Sequence, residues 1–205
     1  DKAQVKTITL EKYMNVPGKD KSSAAKDKIA VIYAQGNVID GEGDDQSIGG
    51  DRFAKAIRKA REDKKVKAIV LRVNSPGGSA LASEIVLREV LLADQEKPVV
   101  ASFGDVAASG GYYIACGARK ILAEPTTLTG SIGVWAAIPN MQGLLTNKLG
   151  ITFDNAMTNK NSDFISVNKP LPPYQTAVIQ KEIENVYDVF VGHVSKGRNM
   201  NKAAV

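Results

Sequence analysis

The stretch VKAIVLRVNSPGGSALASEIVLREVLLADQ, Val66 to Gln95, decides the fold. It opens with Val66–Val73, a nearly continuous apolar run of the kind that forms a strand buried on both faces of a parallel sheet. NSPGG ends that strand, because proline lacks a ladder donor and paired glycines favour a turn. SALASEIVLREVLLADQ then reads as a helix, with Ser79 placed to accept a hydrogen bond from a backbone N–H of the first turn.

The flanking segments repeat this unit. Upstream, KIAVIYAQGNVI (Lys28 to Ile39) is β-rich and bounded by glycine-bearing turns, which predicts a strand. GDRFAKAIRKAREDKK follows and sets Phe53, Ala56, Ile57 and Ala60 on one helical face. Downstream, PVVASF predicts the third strand, and Ser109 opens a helix-like segment within GDVAASGGYYIACGA (Gly104 to Ala118). The order β-α-β-α-β-α predicts an α/β fold of repeated β-α-β units, with right-handed crossovers and a mostly parallel sheet. Beyond it come KILAE, TLTGSIGVWAAI, a short helix near PNMQGLLTNKLG, a strand at ITFDNAM (Ile151 to Met157) and a loop. A last long helix, 174–192, carries Ile179, Ile183, Val186 and Phe190 on one face, and either packs between subunits or covers its own sheet.

Composition narrows the class. A chain of 205 residues, 43% hydrophobic and 24% charged, suits one globular domain with a real core. The net charge of +5 comes from 27 basic and 22 acidic residues, and much of the lysine lies in GKDKSSAAKDK (Gly18 to Lys28). That segment is poor in apolar residues and reads as an exposed linker. No aromatic residues interleave with its charges, which argues against a nucleic-acid partner. Residues 1–27 are therefore expected to be a linker or arm, and 28–205 the domain. The abrupt start at Asp1 and the basic, helical tail make both ends read as cut. Cys116 is the single cysteine, so it forms no internal disulfide and no metal site, and is expected to be a small buried hydrophobe. No stretch approaches the ~20 apolar residues of a membrane span, and no secretory signal pattern begins the chain.

Two glycine-bearing loops, SPGG and ASGG, fall at the carboxyl ends of predicted strands, the edge where open α/β sheets bind ligands. Neither is a phosphate cradle, since SPGG lacks the Lys-Ser/Thr of a P-loop. Ser109 at such a place has two uses. It can cap the helix it opens. Or it can act as a nucleophile, with small residues at 107, 108, 110 and 111 admitting a substrate backbone. The Gly110 N–H, at a helix start, is then one oxyanion donor, and Gly77 or Gly78 a second. The nucleophile needs a base. His193, the only histidine, lies in the terminal helix and is a poor candidate. A lysine can serve if its surroundings lower a pKa that is ordinarily ~10.4.

VNSPGGSALASEI, PVVASFGDVAASGGYYIACGA and ILAEPTTLTGSIGV, in that order and spacing, resemble the signal peptide peptidase A (protease IV) family, over about Lys28 to Phe164. The resemblance implies a Clp protease/crotonase-like fold and a serine endopeptidase with a Ser–Lys dyad and no cofactor. It implies Ser109 as nucleophile, the N–H groups of Gly110 and Gly78 (SPGG loop) as oxyanion hole, and Ser131 as the residue that hydrogen-bonds the catalytic lysine. Short members carry that lysine just after the strand matched by ITFDNAM, where this chain has Ser162, with Lys160 two residues earlier. Long members hold two tandem copies of the domain, in which the first supplies the lysine and the second the serine. The chain looks like a second copy, so its base is expected from the preceding copy and the isolated piece is expected to be inactive. The family further implies cleaved signal peptides as substrate and ring-like homo-oligomers. It also implies a segment outside the chain in the cytoplasmic membrane, with the soluble domain periplasmic or otherwise extracytoplasmic. Val106, Ile132, Val134 and Trp135 flank the motifs and either line an apolar substrate groove or pack in the core. Two other functions compete: a non-catalytic assembly domain of a peptidase ring, and a crotonase-type acyl-CoA enzyme, for which no carboxylate stands beside the loops.

Overall fold

The computed structural model describes Ile8, Thr9, Lys12, Tyr13 and residues 26–205. The arm expected at 1–27 lies almost wholly outside the described residues. Gly36, at φ 94°, divides the strand expected at 28–39 into β1 (Lys28–Gln35) and β2 (Asn37–Ile39). β2 pairs in parallel with β3 (Ser47–Gly49), a small second sheet. Then come α1 (Gly50–Glu62), β4 (Val66–Ser75), α2 (Ala80–Glu96), β5 (Val99–Ala108) and α3 (Gly110–Tyr113). β6 (Lys120–Leu122), β7 (Leu128–Gly130), a π-helical turn at Gly143–Lys148 and α4 (Pro173–Arg198) complete the order.

The main sheet runs β1-β4-β5-β6, all parallel, and β7 pairs with the end of β5. The inward residues Ile69, Leu71 and Val73 of β4 pack with Ile57 of α1, Val86 and Val90 of α2, and Phe103 of β5. Burying such side chains is worth roughly 1.5–3 kcal/mol each, and this face holds the layers together. The other face is open: Ile29, Val31 and Tyr33 of β1 are exposed, as is Arg72 of β4. The expectation that β4 is buried on both faces thus fails on one. Its outward Ala68 and Val70 are half-covered, flanked by the strands on either side.

Ser79 caps α2 as the sequence indicates, its Oγ accepting from the Ala82 N–H at 3.2 Å. The strand expected at Ile151–Met157 is absent. Those residues form no ladder with any described strand, and Ile151, Phe153 and Met157 stay exposed. Apolar alternation makes a strand only where a neighbour satisfies its backbone groups.

One irregularity places the site. β4 and β5 pair in register from Ile69–Val99 to Val73–Phe103, but the next pair is Ser75–Ala107. The surplus residues of β5 bulge outward, and the Asn74 side chain closes the gap by accepting from the Val106 N–H at 3.0 Å. Past the bulge β5 continues to Ala108, paired now with both β4 and β7.

Candidate active site

Ser109 follows β5 at φ 50° and ψ −120°, a conformation that costs a non-glycine residue ~1–3 kcal/mol and persists only where its surroundings impose it. They do so from both sides. The Ser109 N–H donates to the Gly130 carbonyl at 2.9 Å, and the Ser109 carbonyl accepts from the Tyr113 N–H at 2.8 Å. The side chain caps nothing: no backbone N–H of α3 bonds to its hydroxyl, which excludes the helix-cap use. α3 itself is a single turn, shorter than the sequence suggests.

The glycines beside Ser109 also have a structural use. Gly110 and Gly111 are buried, as are Ala107 and Ala108. Against them lies the SPGG loop, so close that a Cβ on Gly77 would stand 2.6 Å from the Gly110 nitrogen. Gly77 and Gly78 also carry φ of 106° and 150°, torsions that side chains oppose. The small residues therefore let two pieces of backbone meet, a use the sequence reading did not assign to them, while Gly110 also lines the cavity.

That contact sorts the amides. The Gly77 N–H is spent on Ser75 Oγ at 3.1 Å. Gly78 forms a parallel bridge with Val38, whose N–H donates to the Gly77 carbonyl and whose carbonyl accepts from the Ser79 N–H, at 2.9 and 2.8 Å. The Gly78 N–H is left without a partner among the described residues, and so is the Gly110 N–H. The Gly78 nitrogen would lie 3.0 Å from a Cβ built on Gly110, so the two residues bearing these amides are direct neighbours. Of the two candidates for second donor, Gly78 is the one with a free N–H.

Ser109, Gly77, Gly78 and Gly110 share a cavity of about 750 Å³ with Ser131. Ser131 directly follows β7, and Val134 and Trp135 extend its side of the cavity. Ile132 turns away to pack on a second core cluster with Leu87, Tyr113, Cys116, Phe190 and Val194. Val106 stays in the β5 ladder and lines nothing here. Tyr113 of α3 with Val186 and Phe190 of α4 form another part of the lining, residues that sequence reading did not assign to the site. Their shared helical face was legible, but not which surface it meets. The cavity lining includes no lysine, histidine or carboxylate. Lys160 and Ser162 lie in an exposed turn, and the Ser162 hydroxyl bonds within it, to the Asn159 carbonyl. His193 sits behind the wall, its Nε2 3.0 Å from Glu84. Burial, and then the bond its hydroxyl donates to Glu84 at 2.7 Å, push the Tyr113 phenol upward, so it remains a donor. Burial also pushes the Cys116 thiol up to about 12.

Among the described residues no helix is long and apolar enough to cross a membrane. The geometry alone describes a hydroxyl beside two unpaired amides, a constellation suited to acyl transfer. Comparison with known proteins agrees. Protease 4 of Haemophilus influenzae is 44% identical over 179 residues, 87% of this chain and 29% of that protein. A putative signal peptide peptidase SppA of Enterococcus faecium is 37% identical over 89% of this chain and 54% of that protein. The chain thus spans about a third to a half of the relatives it matches. A ClpP1 variant from Listeria monocytogenes shares the fold at a TM-score of 0.54 and 12% identity, covering 85% of this chain and 75% of that one. Residues 92–205 match the description of peptidase family S49. The chain accordingly belongs to peptidase family S49, on a Clp protease-like α/β fold.

Proposed function

We propose that residues 28–205 are the serine-bearing half of a serine–lysine endopeptidase, with Ser109 as nucleophile. The observation that carries this reading is the Ser109 hydroxyl, held at positive φ without a cap, facing a cavity beside the unpaired Gly78 and Gly110 N–H groups. The base is a neutral lysine amine from a preceding copy of the domain, in keeping with a lining that holds no lysine of this chain. The lysine takes the Ser109 proton as the oxygen attacks the peptide carbonyl, and the two amides hold the resulting oxyanion. The ammonium then returns a proton to the departing amine, leaving an acyl-enzyme. The same lysine activates the water that releases the acid. Ser131 accepts a hydrogen bond from the lysine and orients it.

The substrates are cleaved signal peptides, the class named for the Enterococcus relative. Their apolar side chains suit the wall of Val134, Trp135, Val186 and Phe190. The protein works as a ring-like homo-oligomer held at the cytoplasmic membrane by a segment outside this chain, with the peptidase domain on the extracytoplasmic side. The test is covalent labelling of the full-length protein by a fluorophosphonate. Labelling of the parent that disappears in Ser109→Ala supports the reading, and labelling retained in Ser109→Ala overturns it. Strong peptidase activity of the isolated 205-residue chain, lost in Lys160→Ala but not on replacing Ser162, would show that the base lies within this chain.

A further inference from the structure

The cavity wall formed by Tyr113, Val186 and Phe190 is not held by apolar packing alone. The Tyr113 ring stacks on Phe190, with centroids 4.3 Å apart and planes inclined by 32°. Its hydroxyl donates to Glu84 Oε2 at 2.7 Å. The same oxygen lies 3.0 Å from His193 Nε2, and the His193 ring stands 5.7 Å from that of Tyr113. One carboxylate oxygen therefore joins three elements: α2 through Glu84, α3 through Tyr113, and α4 through His193. Each has a place in the site. Glu84 follows Ser83, whose Oγ lies within 2.8 Å of a Cβ built on Gly110. Tyr113 closes the single turn that Ser109 opens. His193 shares a face of α4 with Val186 and Phe190, which line the cavity.

The node falls where α4 needs it. Gln175 near the start of α4 is buried, residues 176–189 are not, and Phe190, Val191 and Val194 are, so the node lies beside the second buried stretch of the helix. Below the node, Arg198 is tied to the carbonyls of Cys116 and Ala118. At the level of the cavity, the contact of His193 Nε2 with Glu84 is the polar tie between α4 and the rest of the fold among the described residues.

We infer that Glu84 is a positioning residue for peptide binding: by accepting from Tyr113 and meeting His193 Nε2 at 3.0 Å, it fixes the α4 wall at a set distance from Ser109. The inference rests on the reading of Ser109 as nucleophile, but its structural half can be measured without it. The carboxylate accepts from Tyr113, so Glu84→Gln, whose amide oxygen can take the same bond and meet the same ring nitrogen, keeps the node. Glu84→Ala removes it.

The experiment uses the full-length protein, a fluorogenic peptide with a large apolar residue before the scissile bond, and amide hydrogen exchange over residues 186–194. In Glu84→Ala, KM should rise about tenfold with little change in kcat, and exchange over 186–194 should quicken. Glu84→Gln should restore both to within about twofold of the parent. Tyr113→Phe combined with Glu84→Ala should raise KM no further than the sum of separate effects predicts, and less if they act as one unit. Unchanged KM and exchange in Glu84→Ala would overturn the inference, and so would a Glu84→Gln variant as impaired as the alanine. Failure of the parent protein to label at Ser109 would sink the peptidase reading instead, with the exchange data still deciding whether Glu84 holds the wall.

Discussion

Ser109 and Ser131 stand side by side, each one residue past the paired Ala108 and Gly130 that end two parallel strands, and both have positive φ, 50° and 48°. The pairing of β5 with β7 delivers two hydroxyl-bearing side chains to the same cavity mouth, and the Ser109 N–H to Gly130 bond locks their register.

If Ser131 serves the base and not the fold, its loss should separate the two. Ser131 is exposed, and its hydroxyl bonds to no group among the described residues. Ser131→Ala is expected to change unfolding free energy by less than about 0.5 kcal/mol. Fluorophosphonate labelling of Ser109 in the full-length protein should nevertheless slow at least about tenfold, within the range for disturbing acid–base catalysis. A parallel urea titration and labelling time course would show whether both hold.

Backbone contact between the SPGG loop and α3 leaves no space for a methyl group. Gly77→Ala places a Cβ 2.6 Å from the Gly110 nitrogen at a residue with φ 106°. It should cost more than about 2 kcal/mol in stability and displace the Gly78 and Gly110 amides from one another. The exposed neighbour Pro76 provides a control, since Pro76→Ala should cost no more than about 1 kcal/mol. Chemical denaturation of the two variants is the measurement.

Arg198 secures the far end of α4 through the carbonyls of Cys116 and Ala118. Arg198→Ala leaves those half-enclosed acceptors unpaired and should lower stability by about 2 kcal/mol. Arg198→Lys, with one point donor in place of a fork, should recover only part of the loss. The denaturant midpoint should be highest for the parent, lower for Arg198→Lys and lowest for Arg198→Ala.

Cys116 is fully buried, and burial raises its thiol from 9.0 to about 12. The folded thiol should resist disulfide-exchange reagents at pH 8 and react at once in denaturant. The alkaline stability profile has a definite sign. Between roughly pH 9 and pH 12 the unfolded chain gives up this proton while the folded chain keeps it, so the unfolded state binds fewer protons and stability declines with rising pH. Cys116→Ala should flatten that window, as read from denaturant midpoints across it.

The parts of the fold legible in the sequence were those fixed by local patterns. The apolar run at Val66–Val73, the Ser79 cap and the Phe53–Ala60 face each follow from a few adjacent residues. So does the placing of Ser109 between a strand and a turn. What escaped depends on partners distant in the chain. Ile151–Met157 has the alternation of a strand, but no strand lies beside it. Phe190 and Tyr113 are far apart in sequence, and only the folded chain reveals that they share one cavity wall. Position alone left Gly77 and Gly78 equal, the resemblance pointed to Gly78, and the physical reason, the Ser75 hydroxyl occupying the Gly77 amide, lies two residues upstream in a contact only the fold shows.

The torsion at Ser109 has a consequence for evolution under heat. A glycine at that position would sit at ease, so Ser109→Gly should melt at a higher temperature than the natural protein, by an amount equivalent to ~1 kcal/mol. Selection for durability alone would erase this side chain. A serine that stays there at a cost to stability is what the nucleophile proposal expects.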